Sequence, residues 1–274
     1  MPDEGLDLDG VEELDPPIFI GGVGRSGTSL VRSITNAHPR IAIGPELKMT
    51  PRVVNCWSEL GAVRSYLDET YDGGADQLDG AFRRIILGFL ERTRRRTGDN
   101  RVGEKTPNNV AVFEQIHALF PESPLVHVVR DGRDVVRSLL EQDWNSPASG
   151  GSISINTRAR EAAKYWARAV RAGTEAGEKL DGSGRFVTVR YEDLVRYPER
   201  EVRRLCAFLG ERYYEEMLRF YEKEDPHFSP AQRPIDDSSV GRWREELTNR
   251  QKAEVKAEAS ELLVELGYAD GEGW

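Results

Sequence analysis

Between Gly21 and Ser29 the chain reads GGVGRSGTS, with glycine at 21, 22, 24 and 27, arginine at 25 and hydroxyls at 26, 28 and 29. Glycine lets backbone N–H groups come close to an anion, arginine adds a permanent charge on a rigid fork of donors, and hydroxyls add further donors. These residue types suit the capture of a phosphate or sulfate group. They do not make a nucleotide-triphosphate P-loop. Aligned on Gly22 and Gly27, the pattern G-x-x-x-x-G-K-[ST] would put lysine where Thr28 stands and the metal-binding hydroxyl at Ser29. Because that lysine reaches the β- and γ-phosphates, its absence points to a ligand with a shorter, differently charged phosphate tail. Two further groupings could do chemistry. Arg130 and Ser138 are eight residues apart and able to converge on one phosphate, and Glu46 is a carboxylate just beyond Gly44-Pro45.

Such residues need elements to hold them. The apolar run Ile18-Phe19-Ile20 predicts a buried strand, and the apolar spacing from Thr28 to about Ala37, with Leu30, Val31 and Ile34 on one face, predicts a helix. A strand, a glycine loop and a helix start collect an anion, since the first helical N–H groups lack partners and the helix dipole is positive there. Ile41-Ala42-Ile43 reads as a second short strand, which brings Glu46 near the glycine loop if the two strands are neighbours. Residues 51 to 98 read as helical, with Leu78, Phe82, Ile85, Ile86, Phe89 and Leu90 on one stripe and Arg94-Arg95-Arg96 as a solvated end. Arg101 to Lys105 is extended, and Thr106-Pro107-Asn108-Asn109 supplies turn and capping chemistry for a helix running to about Phe120.

Leu125 to Val129 predicts a buried strand that ends at Arg130, with His127 a satisfied core histidine, Asp131 and Arg133 a turn-stabilising pair, and Ser138 two turns along the next helix. Residues 143 to 157 are polar and fit a substrate lid or an ordinary connection equally. A helix follows from about Arg158 to Glu175, whose Tyr165 and Trp166 read as core. Next come a strand over Arg185 to Tyr191, Glu192 and Asp193 as turn and cap residues, a helix from Pro198 to Leu209, a proline-marked loop over 224 to 240 and a last helix from Gln251 to Leu266 capped by Gly267.

Strands alternating with helices predict an α/β single domain, with a mostly parallel central sheet and helices on both faces. The expected boundaries are a mobile acidic tail over 1–15 and one domain over 16–274. With 38 Lys+Arg against 47 Asp+Glu the net charge is −9, which argues against a nucleic-acid or anionic-membrane surface. Cys56 and Cys206 are too few for a disulfide framework and read as buried thiols in a reducing compartment. No basic and apolar leader and no bilayer-spanning run stand in the text, so the expected location is cytoplasmic, without a membrane.

The stretch IFIGGVGRSGTSL resembles the 5′-phosphosulfate loop of sulfotransferases that use 3′-phosphoadenosine 5′-phosphosulfate (PAPS), and AHPRIAIGPELKMTPR at 37–52 is most similar to their tyrosylprotein branch and its bacterial relatives. The resemblance implies a P-loop-like phosphosulfate-binding loop made by Arg25, Ser26, Gly27, Thr28 and Ser29. It implies a 3′-phosphate site at Arg130 and Ser138, a nucleotide neighbour in Tyr191 of VRYEDLVRYP, and a basic contact from Arg242 of SSVGRWREEL. EKTP resembles the family's lysine-bearing strand end, so that Lys105 joins Arg25 in stabilising the leaving phosphate. Glu46, at the family's 21-residue offset from Arg25, becomes the general base. Where related enzymes carry a further arginine, this chain has Gln142. The implied reaction is in-line transfer of a sulfuryl group from PAPS to an acceptor hydroxyl, phenolic or peptide tyrosine among the candidates, leaving 3′-phosphoadenosine 5′-phosphate (PAP) with no metal. A nucleotide kinase with a degenerate P-loop and a non-catalytic nucleotide-binding module remain as alternatives.

Overall fold

The computed structural model describes residues 15–98, 101–144, 153–222, 233–271 and 273–274. Most of the expected acidic tail, the middle of the 143–157 connection and the first part of the 224–240 loop lie outside the described residues. Five strands, β1 (Ile18–Gly22), β2 (Ile41–Ile43), β3 (Arg101–Lys105), β4 (Leu125–Val129) and β5 (Phe186–Arg190), form one sheet in the order β2-β3-β1-β4-β5, every pairing parallel. Parallel strands need crossovers, and helices supply them: α1 (Thr28–Asn36), α2 (Thr50–Glu59), α3 (Gly61–Thr70), α4 (Gly74–Thr97), α5 (Phe113–Leu119), α6 (Gly132–Leu140) and α7 (Ala159–Lys179); α8 (Tyr191–Arg196), α9 (Pro198–Leu209), α10 (Trp243–Glu246) and α11 (Asn249–Glu265) follow the last strand.

The strand pleat divides the core in two. Ile18 and Ile20 of β1 and Val126 and Val128 of β4 pack beneath α1, α9 and a 3₁₀ segment, Glu215–Glu222. Phe19, Leu125 and Val129 face α2, α4, α5, α6 and α7 on the opposite side. Both sheet faces are therefore covered, which is why β1 and β4 read as continuous apolar runs. From β1 the chain first crosses to edge strand β2 and later passes β1 again to reach β4, so the carboxyl end of β1 is a topological switch point, the place where open α/β sheets bind ligands.

Several local expectations change. β1 and β2 are not neighbours, because β3 lies between them. After Lys105 the chain first makes a 3₁₀ segment, Pro107–Val112, with no side-chain cap from Thr106, since that hydroxyl turns to Glu104 instead. Ile85 is exposed on α4 while Ile86 and Leu90 are buried. Cys56 is exposed and Cys206 buried. His127 is buried against Phe113 and Phe186, yet neither ring nitrogen has a partner among the described residues, and burial pulls its pKa down to about 3.

Candidate active site

Where β1 ends, a turn closed by Ser26 N–H donating to Val23 O (3.0 Å) leads to Gly27, whose carbonyl receives the Val31 N–H of α1 at 3.1 Å. Arg25 (φ 75°) and Gly27 (φ 95°) are both left-handed. Glycine adopts that conformation at no steric cost, whereas arginine pays on the order of 1–2 kcal/mol, strain of the kind that gathers at ligand-binding turns. A Cβ at Gly27 would collide with the Tyr191 ring, so position 27 must be glycine for packing as well. Ser26 is fully buried, and its Oγ has no hydrogen-bond partner among the described residues. An orphaned hydroxyl beside the unpaired N–H groups of a helix start fits an anionic ligand oxygen.

A cleft of about 270 Å³ opens from this turn, lined by Arg25, Gly27 to Leu30, Arg130 and Tyr191, and closed on its far side by Arg233 to Asp236 and Ser239. Arg130 leaves the end of β4 nearly buried. Its Nη1 donates to Arg25 O (3.1 Å) and its Nη2 to Ser239 O (2.6 Å), while its guanidinium lies over the Tyr191 ring at 4.4 Å. Its Nε has no partner among the described residues. Ser138, on α6, accepts from Arg25 Nε at 3.1 Å. The sequence expected Ser138 and Arg130 to converge on one phosphate; in the structure both bond Arg25, Ser138 at its Nε and Arg130 at its carbonyl. Arg25 is exposed as a residue, but partial burial of its guanidinium, followed by repulsion from Arg130, holds its pKa below the ordinary arginine value, with Glu141 opposing. An incoming anion would relieve that crowding of cations.

Lys105 and Glu46 form the second half of the site. Lys105 ends β3 with only 1 % of its surface exposed, and its ammonium donates to Glu46 Oε1 and, at 3.4 Å, to Ser29 Oγ. One cation thus joins the carboxylate to the first turn of α1. Glu46 reaches it although β2 is an edge strand, because the turn after β2 folds back over the end of β3. Gly44 N–H donates to Gly103 O (3.2 Å), and the buried Arg32 of α1 donates its Nε to Gly44 O (3.0 Å). Lys48 lies 4.0 Å from Glu46 Oε2, a mostly exposed contact of little energetic weight.

The predicted site residues Arg25, Ser26, Gly27, Thr28, Ser29, Glu46, Lys105, Arg130, Ser138 and Tyr191 therefore gather at the carboxyl ends of β1, β3 and β4. Arg242 does not join them, because its Nε pairs with Glu246 Oε1 at 2.6 Å one turn away. The arginine that lines that side of the cleft is Arg233, which pairs with Asp236 at 3.5 Å. Sequence reasoning also missed Asp134. Buried in α6, it accepts from Gly241 N–H (2.7 Å) and Trp243 N–H (3.0 Å) and so docks the covering segment, and burial raises its pKa. Its only signal in the sequence was an acid in the first turn of a helix that also carries Arg133, Arg137 and Ser138. The Gln142 amide donates to Ser138 O at 3.0 Å. Asp131 and Arg133 are the expected turn pair, whereas Glu192 is buried and accepts from Asp131 N–H (2.9 Å) and the Tyr268 hydroxyl (3.0 Å).

The chain is similar to known proteins in sequence and in fold. Residues 16–216 match a family model described as the sulfotransferase family. Protein-tyrosine sulfotransferase 1 of Danio rerio is 27 % identical over 268 residues, covering 92 % of this chain and 72 % of that protein. Among solved structures, a sulfotransferase domain from the curacin biosynthetic pathway superposes with a TM-score of 0.64 at 22 % identity, covering 91 % of this chain and 98 % of that one. A mouse sulfotransferase complexed with PAP shares the fold at a TM-score of 0.52 and 15 % identity, covering 95 % and 90 %.

Proposed function

The chain belongs to the sulfotransferase family, and we propose that this PAPS-dependent enzyme sulfates a phenolic hydroxyl, with Glu46 as general base and Arg25 and Lys105 on the leaving side. The acceptor oxygen attacks sulfur in line, its proton passes to the Glu46 carboxylate, and the bond from sulfur to the bridging oxygen breaks with its electron pair retained by the 5′-phosphate of PAP. Charge grows on that phosphate, so cations fixed beforehand lower the barrier more than ones that must move into place. The observation that carries the reading is the position of the Lys105 ammonium between Glu46 and Ser29. A phosphosulfate drawn to the first turn of α1 competes for that ammonium and frees the carboxylate to accept a proton. The orphaned Ser26 Oγ and Arg130 Nε, with Arg25 and Arg233, fit the two anionic ends of the nucleotide.

A carboxylate base is better matched in proton affinity to a phenol than to an alkyl alcohol. Similarity to proteins named protein-tyrosine sulfotransferases favours a peptide tyrosine as acceptor. Two free cysteines suit a reducing, cytoplasmic setting. Among the described residues no helix is long and apolar enough to cross a membrane. The test is Glu46→Gln, assayed with radiolabelled PAPS against 4-nitrophenol, a tyrosine peptide, a sugar and an alkyl alcohol. Turnover on the best acceptor is expected to fall by on the order of 10²–10⁴ with PAP affinity nearly unchanged. Parental turnover would remove Glu46 as the base, and transfer to the alcohol alone would remove the phenolic acceptor.

A further inference from the structure

The turn that carries Glu46 does not hold itself. Lys48 within it has φ 56°, a left-handed conformation that costs a residue with a side chain on the order of 1–2 kcal/mol. Before Glu46 the turn is fixed by the two bonds at Gly44. After Glu46 it is fixed by Lys48 N–H donating to Thr106 Oγ1 at 3.1 Å. A threonine hydroxyl has one proton and two lone pairs, so it serves the Lys48 amide best when its own proton is committed elsewhere. That commitment is visible: Thr106 donates to Glu104 Oε1, and Glu104 Oε2 accepts from Asn109 Nδ2, which also donates to Ile20 O of β1 at 3.2 Å. Glu104, Thr106 and Asn109 are all at most 4 % exposed. The charged groups facing Glu104 are Lys105 and Glu46. A buried carboxyl is costly to keep there, and its bonding partners run toward the Glu46 turn and the end of β1.

We propose that Thr106, oriented by Glu104, is a positioning residue that sets the Glu46 carboxylate against Lys105 and the acceptor. The inference rests on Glu46 being the base. Thr106→Val keeps the branched shape without the hydroxyl, and Thr106→Ser keeps the hydroxyl without the methyl. With the acceptor of the panel above that reacts best, Thr106→Val is expected to lose ~10–100-fold in kcat, the scale of a misplaced reacting group. PAP affinity by calorimetry should stay within about twofold, because the nucleotide contacts lie on β1, β4 and α1, and Ser should recover most of the rate. In a Glu46→Gln background the Val substitution should cost nothing further, since both changes act through one group. Thermal melting in the presence of PAP verifies that each variant is folded, and Thr106→Ala replaces Val if Val is not. A Val variant at the parental kcat, a Ser variant as slow as Val, or an equal Val penalty in the Gln background each overturns the positioning role. A Glu46→Gln enzyme at the parental rate overturns the base assignment, whereas a slow Gln enzyme beside a fast Val enzyme overturns only the part given to Thr106.

Discussion

Arg25→Ala and Arg130→Ala should fail in different ways. Arg130 holds its guanidinium over Tyr191, gives one donor each to Arg25 O and Ser239 O, and is remote in chain and contact from Glu46 and Lys105. On the proposed reading its interactions with nucleotide are the same in ground and transition states. One hydrogen bond to a charged group, at about 1.5–3 kcal/mol, corresponds to a rise of roughly 10–150-fold in the PAPS KM at nearly constant kcat. Arg25 stands in the glycine loop itself, where the proposed transfer puts charge on the leaving oxygen. Removing it is expected to raise KM and also to lower kcat by on the order of 10²–10³, the cost of losing one preorganised donor. The Arg25 result has a second component, because its side chain bonds to Ser138. A Ser138→Ala control, which removes that tether and the hydroxyl expected at the 3′-phosphate, should leave kcat within a few-fold and show its loss in the PAPS KM. Initial-rate kinetics with PAPS varied at saturating acceptor separate the two arginines. Equal losses confined to KM would show that Arg25 only binds, and the assignment of leaving-group stabilisation to it would be withdrawn.

Two other outcomes are expected. The Glu104 carboxyl, pushed up to about 7 mainly by burial, keeps its proton in the folded chain over a range where an unfolded carboxyl near 4.5 has lost it. Its contribution is therefore fully present below about pH 4.5 and is lost as pH rises toward 7, so relative to Glu104→Gln the parent should lose on the order of 3 kcal/mol between pH 4 and pH 8 in paired denaturant titrations, and a pH-independent difference would contradict the burial argument. Activity should survive a chelator and calorimetry should favour PAP over ATP with magnesium; silencing by chelation with recovery in magnesium would restore the kinase alternative.

What could be read before the fold was known followed the range of the forces involved. The glycine loop was legible because its chemistry is local: a buried strand, φ > 0 positions and a helix start lie within a dozen residues. Arg130 was legible for the same reason, as the residue that ends an apolar strand. Glu46 was assigned correctly to the neighbourhood of the loop by an argument whose premise fails, for β2 and β1 are not adjacent. It arrives because Arg32 and the end of β3 fold the turn inward, and neither link has a sequence signature. Arg242 and Arg233 show the opposite limit. Both are arginines in a covering segment without periodicity, and which one faces the cleft is decided by where Asp134 pins the backbone at Gly241 and Trp243, more than a hundred residues away in the chain. With its carboxylate receiving those two N–H groups, the chain just before Gly241 is brought to the cleft, where Ser239 O meets Arg130, while Arg242 lies between the two pinned amides and turns to its helical neighbour Glu246. Position in a family pattern identified the segment, and a single buried carboxylate fixes which of its side chains line the cleft.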